Sequence, residues 1–311
     1  MEVVRYTLEH KQVWDAFVAD SKNATFLFYR DYMEYHADRF TDHSLLFYHK
    51  NRLIALMSAN ELGAEIVSHE GLSYGGILSG TSIKVETMLQ LFDSMVGYFR
   101  QQGFTSINYK TIPHIYHQLP AEEDLYALYK YKAQLYRRDV LAVVEQSNKP
   151  KYSELRRRKL KEAKVYGWEV AQDFCFEQFM ELKGQLLEQK YKAKPVHTLQ
   201  ELLWLAGLFP ENIKLFVAKK GDELGAGVVV YETETVAHCQ YIATSEAGRA
   251  NGALDALLHY LIAEVYADKK YFDLGASMDS SNPSGLNRTL LLNKESYGAR
   301  AVVHDFYTIA L

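Results

Sequence analysis

Gly248, Arg249, Gly252 and Ala253 have the residue types needed to hold a phosphate, and they lie within one short stretch of the chain. They follow an apolar strand pattern over 236–242 and precede a helical pattern that begins at Ala253. A loop that opens a helix presents N–H groups with no intrahelical partner at the positive end of the helix dipole. Glycine lets the backbone approach an anion, and Arg249 adds charge. The competing reading is an ordinary strand–helix connection. Upstream of the loop, His238 and Gln240 fall on one face of the extended run and Tyr241 on the other. In the first half of the chain, His69, Tyr74, Gly75 and Gly76 form a polar segment in which the paired glycines allow close approach to the backbone. The alternative there is a turn between strands with Tyr74 as packing. Arg30, His36 and Arg39 share a stretch of helical character, 29–40. Arg30 suits a phosphate or a carboxylate, against the alternative of a solvated cation.

Several reaction classes are excluded by what is missing. The 11 histidines include no HExxH grouping, and Cys175 and Cys239 have no CxxC spacing, so no catalytic metal is expected and both thiols read as buried and free. No P-loop points to an NTPase. A net charge of -4 argues against a chain that coats nucleic acid, so no DNA partner is expected, while a local basic groove stays open. The start of the chain has no apolar signal-peptide core, and no apolar run is long enough to span a membrane, so a cytoplasmic location is expected. Apolar residues make up 48% of the 311, enough to build a core without disulfides or structural metal. The 23 tyrosines read as packing with polar tips, or as a groove for a sugar, nucleotide or peptide.

The elements that must position these residues recur along the chain. From Ser44 the pattern gives strands over 44–48, 53–60 and 65–69, a helix over 85–100 with its apolar stripe on Met88, Phe92, Met95 and Phe99, and a strand over 104–109. From Leu215 it gives strands over 215–218, 224–232 and 234–242, a helix over 253–267 and a strand over 271–274. The order of elements repeats at an offset of roughly 170 residues, as a duplicated domain would show; a coincidence of common strand–helix patterns is the alternative. Lys149-Pro150-Lys151 breaks the chain between the halves. It is followed by a basic helix over 152–166 carrying Arg156, Arg157, Arg158, Lys159, Lys161 and Lys164. The expected organisation is α/β (α+β), with two domains, 1–148 and 149–311, each a mixed central sheet flanked by helices.

A strand, a glycine-bearing loop, a helix and a strand ending in Asp273-Leu274-Gly275 resemble the acyl-CoA site of the GNAT N-acetyltransferase fold. The family's pyrophosphate loop reads R/Q-x-x-G-x-G/A. Arg249-Ala250-Asn251-Gly252-Ala253-Leu254 keeps its first and fourth positions and has leucine at the last. The tail, with Lys294-Glu295-Ser296-Tyr297-Gly298 and then Val302 to Tyr307, resembles the closing segment of FemAB-like tandem-GNAT transferases. Ser68-His69-Glu70-Gly71-Leu72-Ser73-Tyr74-Gly75-Gly76 is similar to their N-terminal halves. The resemblance implies transfer of an acyl group to an amine, from acyl-CoA as a co-substrate or from aminoacyl-tRNA, with no tightly bound cofactor. The acceptor it implies is a small molecule of sugar type or a cell-wall precursor. It implies Lys294, His238 and Tyr241 as catalytic candidates, with Asp273 and Asp305 as carboxylate candidates. Gly248, Arg249, Gly252 and Ala253 would hold the donor; His69, Tyr74, Gly75, Gly76 and Arg30 would hold the acceptor. The other reading is a non-catalytic binding protein whose donor site has decayed, for which Leu254 is the main support.

Overall fold

The computed structural model describes residues 1–191 and 196–311. They form two compact units, Met1–Asp139 with Val303–Leu311, and Val140–Val302. This division differs from 1–148 and 149–311 at both ends of the second half, for reasons of hydrogen bonding. Residues 146–153 are tied into the second unit: the Gln146 side-chain amide donates to Ile262 O and Tyr266 O, and Ser153 N–H donates to Ser296 O. The proline break therefore lies inside a unit rather than between two. At the chain end, Phe306–Ala310 pair antiparallel with Ser106–Lys110, which places the last strand with the first unit.

In the first unit, Glu2–Arg5, Leu45–His49, Arg52–Met57 and Ile77–Ser79 pair antiparallel. Glu65–Val67 runs parallel to Ser106–Lys110. The Val85–Gln101 helix covers the core with Met88, Leu91, Phe92, Met95, Val96 and Phe99, close to the expected stripe. The stretch 29–40 is not one helix. A single α turn, Arg30–Met33, passes into a 3-10 segment, Glu34–Arg39, interrupted by the non-helical backbone of His36.

In the second unit, the order across the sheet is Glu169–Asp173, Ile213–Lys220, Glu223–Glu232, Val236–Thr244, Tyr271–Ala276 and then residues 141–145. All neighbours are antiparallel except Val236–Thr244 and Tyr271–Ala276, which run parallel. The core lies between this sheet and two helices, Glu154–Tyr166 and Ala253–Tyr260. It contains Val228, Val230, Ala237, Cys239, Leu257, Leu258 and Phe272, all buried. The first of these helices starts where the Ser153 side chain accepts Arg156 N–H and stops at Gly167, whose φ of +86° needs a residue without a side chain. The second is shorter than the expected 253–267. It ends as an α-helix at Tyr260 and widens into a π turn over Leu261–Val265. Among the described residues, no helix is long and apolar enough to cross a membrane.

Candidate active site

The two parallel strands of the second unit stay paired for only three residues, Val236↔Tyr271, Ala237↔Phe272 and His238↔Asp273. Beyond that point one continues to Thr244 and the other to Ala276 without pairing, so backbone groups that a sheet normally consumes are left for something else. At the last paired position the His238 Nδ1 lies 2.8 Å from Asp273 Oδ2. Asp273 is fully buried, and its other oxygen accepts the Gly275 N–H at 2.7 Å. A buried carboxylate held this way fixes the imidazole ring and draws the proton to Nδ1, which leaves Nε2 as an acceptor. The histidine side chain remains 20% exposed, so that acceptor can be reached.

Lys294 meets the same place from the Arg288–Glu295 helix. Its Nζ donates to Gly275 O at 2.9 Å and to Ala276 O at 2.7 Å. An ammonium has three N–H groups, so one remains unspent. The side chain is buried, and desolvation pushes its pKa down to about 8 against the opposing pull of Asp273. Gly275 has a φ of +80°, and a Cβ there would stand 3.5 Å from His238 Cε1 and 3.9 Å from Lys294 Nζ. The histidine, the lysine and the buried aspartate thus converge on one glycine at the mouth of the strand separation.

A cavity of about 440 Å³ extends from Asn293, the neighbour of Lys294, along Ile242, Ala243 and Thr244 to Arg249 and Leu254. Its walls carry four cations, Arg156, Lys159, Lys183 and Arg249, against one carboxylate, Asp255. Two of the cations are already matched. Arg156 pairs with Asp255 at 2.7 Å and bonds Tyr297 Oη and Ser296 Oγ, and Lys159 pairs with Glu162. Arg249 is exposed and has no ion pair among the described residues. Lys183 stands 4.4 Å from the centre of the Tyr241 ring, and burial lowers its pKa. The Ala253–Tyr260 helix opens beside this wall with Gly252 as its N-cap, and no side chain caps its first N–H groups. Its cations and the helix start suit the cavity to a polyanion, while His238, Asp273, Gly275 and Lys294 are not among its lining residues.

The expected loop is partly helical, since Gly248 and Arg249 lie in a short helix, Glu246–Ala250, capped by the Ser245 side chain, and its residues divide by role. Gly252 has a φ of +73°, and a Cβ would come within 2.9 Å of Lys159 O. Gly248 is small because it packs on the neighbouring strand: a Cβ would fall 1.9 Å from Gly225 O. Its N–H is already bonded to Ser245 Oγ. Ala253 is fully buried in the core. Leu254 lines the cavity with its side chain and still contributes a backbone N–H to the start of the helix.

Strict alternation along the histidine-bearing strand fails at a bulge. Val229 is opposite Tyr241 and Val230 opposite Cys239, so Gln240 has no counterpart. Tyr241 is buried, its hydroxyl is bonded to His197 Nδ1, and burial pushes its pKa up to about 12. Lys183, which lines the cavity, and His197, which bonds Tyr241, are marked by no sequence motif. Their link to the site runs through side-chain contacts that span tens of residues along the chain.

The first-half candidates separate as well. Tyr74 is buried and hydrogen-bonds Thr25 Oγ1; Gly75 packs on Ser68 O, and Gly76 on the Tyr109 hydroxyl. These contacts are those of a packed turn. Arg30 is buried and bonded to Glu34 and Asp42. Arg30 and His69 line a separate cavity within the first unit. Asp305 is held by a bidentate pair with Arg138, also in the first unit. Cys239 is buried and Cys175 partly so, both free. Among the described residues, no group of acids, histidines and cysteines is placed to hold a metal.

Residues 148–280 match the sequence family described as Acetyltransferase (GNAT) domain. Comparison with curated proteins finds no match. Among solved structures, the chain is similar to FemX at 11% identity and a TM-score of 0.67, over 98% of this chain and 97% of that one. It is similar to the C-terminal domain of a putative lysylphosphatidylglycerol synthetase from Agrobacterium fabrum at 14% identity and a TM-score of 0.60, over 96% and 91%. It is also similar to a tandem GNAT protein from the clavulanic acid biosynthesis pathway at 10% identity and a TM-score of 0.54, over 99% and 98%. At these identities the likeness is one of fold.

Proposed function

We propose, from the premise that residues 148–280 are a GNAT acetyltransferase domain in a chain of FemAB-like tandem-GNAT fold, that the protein is an N-acyltransferase working at the strand separation of the second unit. The observation that carries the reading is the convergence of His238, Asp273 and Lys294 on Gly275. The acceptor amine attacks the acyl carbonyl, forming the C–N bond. His238 Nε2 takes the proton the amine loses, and Asp273 stabilises the imidazolium through Nδ1–H. The unspent N–H of Lys294 holds the oxyanion as it forms. Collapse of the tetrahedral species breaks the C–S bond of a thioester or the C–O bond of an aminoacyl ester, and the proton passes to the leaving group. Tyr241 stays protonated and positions Lys183 and His197 rather than reacting.

The donor is acyl-CoA or aminoacyl-tRNA; the acceptor is an amine on a sugar-type molecule or a cell-wall precursor. Arg249, Lys183 and the open start of the Ala253–Tyr260 helix supply the anion-binding groups for a phosphorylated donor. The aminoacyl-tRNA option is favoured by one further observation: Arg157, Arg158, Lys161 and Lys164 are exposed together on the helix that borders the cavity. Thermal-shift titration with CoA, acetyl-CoA and charged tRNA tests the reading and separates the donors. Stabilisation by one of them supports it, and no response to any of them refutes it. A non-catalytic binding protein would bind donor without transferring its acyl group.

A further inference from the structure

Lys183 is a primary amine on the wall of the second unit's cavity, and among the described residues it has no ion pair or hydrogen bond. The other lysine there, Lys159, is paired with Glu162 at 2.6 Å, and the carboxylate of the wall, Asp255, is taken by Arg156 at 2.7 Å. Lys183 extends from the Phe176–Tyr191 helix on the face it shares with Leu186 and Leu187, three and four residues on. Those two leucines and Ile242 line the same cavity. The Lys183 Nζ lies 4.4 Å from the centre of the Tyr241 ring, whose hydroxyl is already bonded to His197 Nδ1. The amine is therefore half-buried beside aliphatic and aromatic carbon, yet open to the cavity.

Three influences act on its charge. Loss of water favours the neutral form, and burial lowers the Lys183 pKa. Arg156, Lys159 and Arg249 outnumber Asp255 on the wall, and like charges press the same way. The face of the Tyr241 ring opposes both, since its π electrons attract an ammonium. Tyr241 adds no charge of its own, because burial pushes its pKa up to about 12. The neutral amine is thus more populated than in a free lysine. A lysine desolvated beside other cations is an activated nucleophile. The hydroxyls on the wall compete poorly. Tyr297 Oη is tied to Asp255 and Arg156 and held protonated by burial, and Thr244 is an ordinary alcohol.

We propose that Lys183 is itself an acyl acceptor, so that an activated acyl group entering the cavity is transferred to its Nζ. The neutral amine attacks the carbonyl carbon of a thioester. The C–N bond forms, the C–S bond breaks, and the proton lost by nitrogen passes to the departing thiolate. The products are an ε-amide and a free thiol. The amide carries no charge to desolvate, which suits it to the leucines and the Tyr241 ring. Modification also removes one of the two unmatched cations of the wall and leaves Arg249, so the acylated chain binds a phosphorylated donor less well. That consequence rests on the proposed function; the modification itself does not.

The test incubates the full chain with S-acetyl-N-acetylcysteamine, a small thioester without phosphate, and separately with acetyl-CoA. Peptide mass spectrometry follows the acetylation of each lysine, with Lys164, exposed on the Glu154–Tyr166 helix, as the reference. The expected result is that the small thioester acetylates Lys183 at least about tenfold faster than Lys164, and that the preference disappears in urea. After modification, acetyl-CoA and charged tRNA bind about tenfold more weakly. Lys183→Arg keeps a cation that thioesters do not acylate, so its donor affinity, whatever its starting value, does not fall with time of incubation. Lys183 labelled no faster than Lys164, or a time-dependent fall that persists in Lys183→Arg, overturns the inference even where donor binding is intact. Rapid labelling of Lys183 by the small thioester, with no binding of CoA, acetyl-CoA or charged tRNA, supports the modification and refutes the donor site instead.

Discussion

Lys294→Met separates the chemistry proposed for Lys294 from its contribution to folding. Methionine keeps most of the side-chain volume and removes the ammonium. The ammonium costs the folded state energy, because burial takes its pKa from 10.5 to about 8. That drop corresponds to about 3 kcal/mol against the charged form. The sign follows from the direction. Below pH 8 the lysine is charged in both states and the cost is fully present; between about 8 and 10.5 the unfolded chain binds more protons, so stability rises with pH through that window. At pH 7 the substitution removes this cost. Against that gain, Gly275 O and Ala276 O lose their donor, at about 1–3 kcal/mol each if they stay dry. The two effects are of similar size, so stability is expected to change by no more than about 3 kcal/mol. Loss of a charge aimed at the oxyanion lowers kcat/KM by about 100- to 1000-fold. The assay follows free thiol released from acetyl-CoA, or deacylated tRNA released from an aminoacyl donor, with amine acceptors present. The parent's rate also falls as pH rises through about 8, where Lys294 loses its proton, and that limb is absent from the variant. A variant that melts like the parent and keeps kcat/KM within about threefold refutes the role given to Lys294.

Asp273→Asn leaves one amide oxygen to serve two donors, His238 Nδ1–H and Gly275 N–H, so the histidine loses its fixed proton position. Steady-state kinetics should show kcat lowered by about 100-fold or more with the fold retained by circular dichroism. Arg249→Ala removes an exposed cation from the far end of the cavity, and donor KM should rise about tenfold with kcat little changed. Gly248→Ala drives a methyl group to 1.9 Å from Gly225 O, so it should destabilise the second unit by about 1–3 kcal/mol, seen as a lower denaturation midpoint, where Arg249→Ala leaves stability unchanged.

The legible parts of this protein in its sequence are those written locally. The 85–101 helix and the sheet of the second unit follow from apolar periodicity, and Gly252 follows from the helix it opens. Gly248 is recognisable as special, but its reason lies 23 residues back, where Gly225 crosses beneath it. The His238–Asp273 pair joins positions 35 apart and exists because the two parallel strands share one register. No spacing rule shows that register before the strands are paired. His197 and Tyr241 are 44 apart and meet through side chains alone. The bulge at Gln240 also defeats the alternation from which the facing of Tyr241 was read. Lys294 is legible only through resemblance, since its meaning lies in the two carbonyls it reaches across 18 and 19 residues. The polar segment 69–76 looks uniform as sequence and divides in three dimensions. Tyr74, Gly75 and Gly76 are packed, while His69 takes a left-handed backbone conformation and lines a cavity of the first unit. Unit boundaries are obscured for a similar reason, because the final strand pairs with Ser106–Lys110, nearly 200 residues earlier.

In the proposed function the second unit binds an acyl donor along the strand separation and passes its acyl group to an amine. Titration of the full chain with acetyl-CoA and with a hydrolysis-resistant aminoacyl-tRNA, followed by single turnover of the bound donor with an amine acceptor, tests it most directly. The expected result is one saturable donor site, weakened by Arg249→Ala, and acyl transfer that is lost in Lys294→Met while donor binding survives. Binding of neither donor, or a bound donor whose acyl group transfers equally well in Lys294→Met, would contradict it.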